Sequence, residues 1–257
     1  MVNTLASEQW GDHGPRLVLV HGSLNSAAAA FAEQRTLADT WTVIAPYRRG
    51  YRPSPHTDRD AADIAELIGP GAHVVGTSMG GVVAMRAAAL VPDRVWSLTV
   101  VEPPALPNAI GHPEVDDLRE RLTRHWERNL QADHETFLTG FLEILAVDLA
   151  LPSPLPPAFA EAVRNLKTER PWETGVPLPP LVDTVFPKLV VSGGGTPAFE
   201  AVCDVLATRL NAERRLFRGS PHAVQRIGRP CNDMLRAFLT AAESRRTDAE
   251  PTQHNTA

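Results

Sequence analysis

The sequence predicts an α/β fold: a doubly wound, mostly parallel sheet with a helical segment inserted into it. Three observations carry this expectation. Short apolar runs alternate with helical stretches over residues 16–101 and again over 188–242. Between these blocks, residues 103–186 offer helical periodicity and proline punctuation but no convincing strand. Residues 74–81 read Val-Val-Gly-Thr-Ser-Met-Gly-Gly, a β-branched run, a glycine-flanked serine and the opening of an Ala-rich helix. Strands buried on both faces read as continuous apolar runs, and strands that alternate with helices pair in parallel.

In chain order, the run 16–20 (Arg-Leu-Val-Leu-Val) is a buried strand and 26–38 an Ala-rich helix. The run 41–45 is the next strand, and 60–68 a helix with Ile64, Leu67 and Ile68 on one side. After the serine turn, Val82 to Leu90 continue a helix that Pro92 closes, and 95–101 is again an apolar strand. Helical spacing follows at Val115, Leu118, Leu122 and Trp126, then at Phe137, Leu138, Phe141, Leu142, Leu145 and Leu149. Prolines cluster at 152–157 and 171–180. Strand and helix resume with 188–192, 198–210, 213–217 and a last helix over about 230–242. The expected organisation is a core of residues 1–102 and 187–242, a helical cap of 103–186 and a disordered tail of 243–257, the tail being polar and aperiodic.

Bulk properties narrow the function. A chain of 257 residues is long enough for one large α/β domain. A net charge of −5 with scattered basic residues gives no footprint for nucleic acid. No run approaches the roughly 20 apolar residues of a membrane span, and residues 1–12 do not read as a signal peptide, so the expectation is a cytoplasmic protein acting on a small-molecule substrate without membrane contact. Cys203 and Cys231 fall in helices without metal-ligand spacing and read as reduced structural thiols; no metal or cofactor is expected.

The glycines around Ser78 have a chemical reason. A serine at the tip of a sharp strand-to-helix turn has strained backbone angles and tolerates no bulk on either flank, as a nucleophile elbow requires. Such a serine needs a base. Of nine histidines, His222 is placed best, on the loop Arg218-Gly219-Ser220-Pro221 between the last strand and last helix, at the sheet edge that carries Ser78. His56, His73, His112, His125 and His134 read as surface residues. His21 follows the first strong strand and reads as structural. Beside it Gly22 lets a loop pass the elbow, so that the Ser23 and Met79 amides can face an oxyanion, with Leu24 as the fallback donor.

His21-Gly22, Gly76 to Gly80 and Ser220-Pro221-His222 occur in the order found in the α/β-hydrolase family, which the chain resembles over about residues 10–242, in the branch with a helical cap. The resemblance implies an eight-stranded core lacking its first strand, since little precedes Trp10. It also implies a triad of Ser78, an acid and His222, with an oxyanion hole from Met79 and Ser23. One departure concerns the acid. The family commonly places it after the strand that here is 188–192, and this chain has Gly193-Gly194-Gly195-Thr196-Pro197 there. A subset resembling haloalkane dehalogenases and some lipases places it after the strand following the elbow helix, here Val100-Val101-Glu102-Pro103-Pro104, so Glu102 is the leading orienter of His222. A structural Glu102, or Asp204 or Glu200 reaching in, are the alternatives. A second departure is Tyr47, where relatives often carry Asp; a local rearrangement is expected.

Serine at the elbow disfavours dehalogenation, which uses a carboxylate there, and favours an acyl-enzyme from an ester, thioester or lactone. A cofactor-free lyase or C–C bond enzyme with the same triad, and a non-catalytic binding protein, stand as alternatives. Leu24, Trp126, Phe137 and Phe141 are the candidate substrate-binding residues, with Trp172 beside them, and plain cap-to-core packing is the rival role for the aromatic ones. Arg48 and Arg49 read as a solvated loop pair rather than an anion site.

Overall fold

The computed structural model describes residues 5–49, 56–147 and 149–249. Seven strands form one sheet: β1 (Ser7–Trp10), β2 (Arg16–Val20), β3 (Thr42–Pro46), β4 (Ala72–Thr77), β5 (Val95–Val101), β6 (Lys188–Ser192) and β7 (Glu213–Leu216). They lie in the order β1-β3-β2-β4-β5-β6-β7, with only β1 antiparallel to its neighbour. The family resemblance implied a sheet of eight less one, and seven strands are what the described residues form. Edge strand β1, whose residues alternate between exposed and half-buried, carries too little apolar content to be read from sequence. Central β4 is buried at all six positions, as a strand covered on both faces must be.

The helices are α1 (Ala27–Ala30), α2 (His56–Ile68), α3 (Met79–Leu90), α4 (Pro113–Asn129), α5 (His134–Ile144), α6 (Pro157–Glu169), α7 (Pro179–Val182), α8 (Pro197–Arg209) and α9 (Arg229–Ala249). On one face α2, α3 and α8 bury Ile64, Val82, Val83 and Leu206 against the sheet. On the other, α1 and α9 pack Phe31, Leu235 and Leu239 against Leu17, Leu19 and Val75. The helices α4 to α7 all lie between β5 and β6 in the chain. None of the described helices is long and apolar enough to cross a membrane.

Several expectations need correction. The helix expected over 26–38 is one α-turn followed by a 3-10 helix, Glu33–Asp39. Phe31 leaves the helix at φ −121° with its side chain fully buried, and Gln34 Nε2 donates to Asn232 Oδ1 at 2.7 Å. These long-range contacts override a local Ala preference. The apolar spacing that runs on to Leu149 does not extend α5, which stops at Ile144, with Ala146 at φ +53°. Helices α6 and α7 were hidden by prolines, yet each has a proline in its first turn, where a missing N–H costs nothing.

The supposed disordered tail is helical through Ala249; residues 250–257 of that expectation, like Gly50 and Tyr51, lie outside the described ones. The polar sequence misled because the contacts that anchor it, centred on Glu243, come from residues far away in the chain. Trp41 Nε1 donates to Glu243 Oε1 at 2.6 Å, and His73 Nε2 sits 3.1 Å from the same oxygen. His73 is therefore no surface residue: it is fully buried, with Ser97 Oγ 2.8 Å from Nδ1. His125 is buried too, its Nε2 2.9 Å from the Phe137 carbonyl oxygen. At Tyr47 the expected rearrangement is a hydrogen bond to Glu8. Cys203 and Cys231 are free and buried, and burial pushes the Cys231 thiol up to about 12, so it stays protonated at neutral pH.

The Glu243 carboxyl is held below its usual range, first by the bond to His73 and then by that to Trp41. A depressed carboxyl stabilises the fold above its unfolded-state pKa and loses that contribution as pH falls through the folded one. We expect Glu243→Ala to remove about 1–2 kcal/mol. Thermal melts at neutral pH should show a fall of roughly 3–6 °C. At acid pH, where the parent has lost the same bond, the difference should shrink.

Candidate active site

Ser78 lies between the end of β4 and the start of α3 with φ 51° and ψ −129°. Steric demands on both sides enforce this shape. A Cβ at Gly76 would fall 2.3 Å from the Gly80 carbonyl oxygen, and one at Gly80 would fall 2.1 Å from that of Val20. Neither position admits a side chain, so α3 can turn back across β2 and β4 while the serine is pushed out at the carboxyl end of the sheet. The Ser78 N–H donates to the Val101 carbonyl at 2.8 Å, tying the turn to β5.

Because β2, β4, β5, β6 and β7 run parallel, the loops that follow them share one edge. His222, on the loop after β7, places Nε2 3.0 Å from Ser78 Oγ and Nδ1 2.6 Å from Glu102 Oε2. Glu102 follows β5 and is 2 % exposed, so its charge needs the hydrogen bonds it accepts. An ionised Glu102 accepts from Nδ1–H, which leaves Nε2 as the acceptor for the serine hydroxyl. The His222 ring packs on Phe199, with ring centroids 4.6 Å apart.

The glycine turn after β6 has a part that its sequence hid. Gly193 donates its N–H to Glu102 Oε1 at 2.6 Å. A Cβ there would meet the Ser220 carbonyl oxygen at 2.5 Å, so the glycine lets the β6 loop lie against the His222 loop. The turn that lacks a carboxylate thus holds the one supplied by β5. Asp204 and Glu200 do not reach His222: Arg214 donates to Asp204 at 2.9 Å and to Glu200 at 2.6 Å.

On the other side of Ser78, a Cβ at Gly22 would fall 2.8 Å from Ser78 Cβ, which shows how closely the loop after β2 passes the elbow. His21 is fully buried at its root. Its Nδ1 sits 2.8 Å from the Gly22 carbonyl oxygen, and its Nε2 accepts the Arg48 backbone N–H at 3.3 Å. Leu24 stands at φ +59°. Met79 is the first residue of α3, where an N–H has no partner within the helix. Arg48, expected in solvent, is 5 % exposed, with Nε donating to Asp60 Oδ2 at 2.9 Å and Nη2 to Glu169; Arg49 pairs with Asp63. No local pattern announces the network of Arg48, Asp60 and Glu169, because its two bonds from Arg48 span 12 and 121 residues.

Ser78 and His222 open into a cavity of about 740 Å³. Ser23, Leu24, Phe141 and Trp172 line it, together with Leu118, Leu122 and Leu145 from the segment between β5 and β6. Trp126 and Phe137, expected to bind substrate, do not reach it. Both are fully buried and pack edge to face at 4.8 Å, and Trp126 Nε1 donates to the Lys167 carbonyl at 2.9 Å. They join α4, α5 and α6 to one another. The inner face of α4 splits these roles: Leu118 and Leu122 face the cavity while Trp126, one turn on, faces α5.

This strand order, elbow and loop edge define a class, and the sequence comparison agrees: the chain matches the alpha/beta hydrolase family over residues 17–236 and belongs to it. A fluoroacetate dehalogenase of a Burkholderia species is 29% identical over 157 residues, 51% of each chain, so the match spans about half the length of that curated relative. An alpha/beta hydrolase from Sphaerobacter thermophilus is similar in structure, with 26% identity, a TM-score of 0.66 and coverage of 91% of this chain and 95% of the other. A thermophilic esterase from Thermogutta terrifontis shares the fold at 21% identity, a TM-score of 0.65 and 93% coverage of each chain.

Burial and then the Arg48 charge push the His21 pKa down to about 3. A histidine with a depressed folded pKa contributes stability above its unfolded value, about 6.5, and loses it as pH falls toward 3. In an NMR titration we expect the His21 ring protons to hold their shifts from pH 8 to pH 5. Titration of His21 near pH 6.5 would mean that the loop after β2 is open to water.

Proposed function

We propose that this protein is a serine hydrolase that cleaves a small ester, thioester or lactone through an acyl-enzyme on Ser78. The observation that carries this is one continuous line: Ser78 Oγ to His222 Nε2 at 3.0 Å, and His222 Nδ1 to Glu102 at 2.6 Å. A serine, a base of the right tautomer and a buried carboxylate orienting that base are the parts an activated nucleophile needs.

In the proposed reaction His222 Nε2 takes the hydroxyl proton as Ser78 Oγ attacks the carbonyl carbon. Negative charge passes to the carbonyl oxygen, which the Met79 and Ser23 amides receive. Glu102 stabilises the imidazolium without taking its proton. The tetrahedral species collapses, His222 returns the proton to the leaving oxygen or sulfur, and the acyl group remains on Ser78. Water then attacks, its proton passing to His222, and the acid departs as the proton returns to Ser78.

The likeness to a dehalogenase does not extend to its reaction. A serine that displaced halide from carbon would form an ether, and an ether has no carbonyl through which water could release it. Attack on an acyl carbonyl leaves an ester, which the same triad can hydrolyse. The apolar lining from Leu24, Leu118, Leu122, Phe141 and Trp172 supports a substrate with an apolar acyl or alcohol part. In this reading residues 103–186 act as a cap that sets substrate range.

A fluorophosphonate probe should label the parent protein at Ser78, and a panel of p-nitrophenyl esters, thioesters and lactones should identify the acyl preference. We expect Ser78→Ala to abolish labelling and lower kcat by at least about 10³-fold with thermal stability unchanged. Glu102→Gln should slow turnover by about 10²–10⁴-fold. A parent that neither labels nor turns over any of these substrates, or a Ser78→Ala variant within tenfold of it, would overturn the proposal.

A further inference from the structure

The buried charged network beside the active site has more to do than close a gap. Glu169 is the last residue of α6 and is wholly buried. One carboxylate oxygen accepts from Arg48 Nη2 and the other from the Ser23 hydroxyl. Arg48 in turn donates to Asp60 of α2, and its backbone N–H donates to His21 Nε2. His21 and Ser23 flank Gly22, the residue that lies against Ser78. The loop after β2 is therefore gripped at both ends by one network, and the grip at Ser23 comes from a residue 146 positions away in sequence. The loop needs holding, because Leu24 stands at φ +59°, a conformation that a branched side chain disfavours.

Resting on the acyl-transfer reading above, we infer that Glu169 is a positioning residue: through Ser23 it fixes the loop whose amide faces the developing oxyanion. The Ser23 hydroxyl, committed to Glu169, is not itself the oxyanion donor; only the N–H of Ser23 is left for that part. An oxyanion hole depends on donors already aimed at the charge before it forms, so a carboxylate that locks the loop acts on the transition state more than on substrate binding. The segment between β5 and β6 then does more than wall the cavity, since one end of its helix α6 sets the geometry of the hole. From Glu169 the chain turns at Arg170, φ +47°, and Pro171 and Trp172 enter the cavity wall, so one short stretch serves both tasks.

The test uses Ser23→Ala, Glu169→Ala and the double variant of the full chain, with an ester substrate and a trifluoromethyl ketone that forms a tetrahedral adduct on Ser78. We expect each single variant to lower kcat by about 10–100-fold, less than loss of a whole oxyanion donor, with KM changed less than about twofold. The double variant should fall no further than Glu169→Ala, because the hydrogen bond lost in Ser23→Ala is already removed in Glu169→Ala. In a ¹⁹F NMR titration the adduct's hemiketal hydroxyl should ionise about one pH unit higher in the variants, a tenfold loss of oxyanion stabilisation. A merely structural contact would lower the melting temperature and leave that ionisation where it is. Should Glu169→Ala fail to fold, Ser23→Ala, a small change at a part-buried site, decides the matter alone. Parent-level kcat and adduct ionisation in Ser23→Ala, or fully multiplicative effects in the double variant, would overturn the positioning role while leaving the acyl-transfer reading intact. A parent that forms no adduct and hydrolyses no ester would overturn both.

Discussion

Everything at the active edge depends on the close approach of three backbones around Ser78. Gly76 and Gly80 let α3 fold back across β4 and β2 with no room for a Cβ, and Gly22 lets the next loop pass against the serine itself. Such contact is possible only where side chains are absent, and it leaves the serine in a backbone conformation that most residues avoid. The strain is tolerable because the surrounding sheet over-determines it: β4 is buried along its whole length between β2 and β5, and the turn donates its own N–H to β5.

The same economy governs the carboxylate. A buried glutamate is costly unless its lone pairs are used. Glu102 spends one oxygen on His222 and the other on the Gly193 amide, and Glu102 itself stands at φ +43° to reach both. With the carboxylate at the end of β5, the β6 loop still has a part, since its Gly193 amide donates to Glu102. The glycine turn supplies a donor where its family counterparts commonly supply the acid, and the absence of side chains there lets the His222 loop settle against it.

The segment between β5 and β6 is built as a small apolar unit with two outlets. Its own core is aromatic, Trp126 packing on Phe137, Phe141 and Trp172. Its outlets are the leucines and Phe141 that face the cavity, and Glu169, which enters the charged network under the loop after β2. An apolar unit can slide against an apolar rim at little cost. A buried carboxylate shared by a guanidinium and a hydroxyl cannot leave them without a desolvation penalty, so Glu169 is the polar tie between this segment and the loop after β2.

By itself the sequence determined the order of the main strands and helices and singled out Ser78, His222 and Glu102, which the fold brings into one hydrogen-bonded line, because each is marked by a local signal. Apolar runs identify strands, flanking glycines identify the turn, and a glutamate that closes an apolar strand is conspicuous where the neighbouring turn has no carboxylate. Tertiary structure alone decided the rest. Which residues of α4 and α5 meet the cavity, Leu122 and Phe141 rather than Trp126 and Phe137, turns on how each helix is rotated against its neighbours, which periodicity does not report. Whether residues 243–249 continue a helix turns on Trp41 and His73, some 200 and 170 residues away. The partners of Arg48, the Gly193 amide on Glu102 and the tie from Glu169 to Ser23 are hydrogen bonds between groups that no local sequence pattern joins. Burial gives these bonds their strength, and burial exists only once the chain has folded.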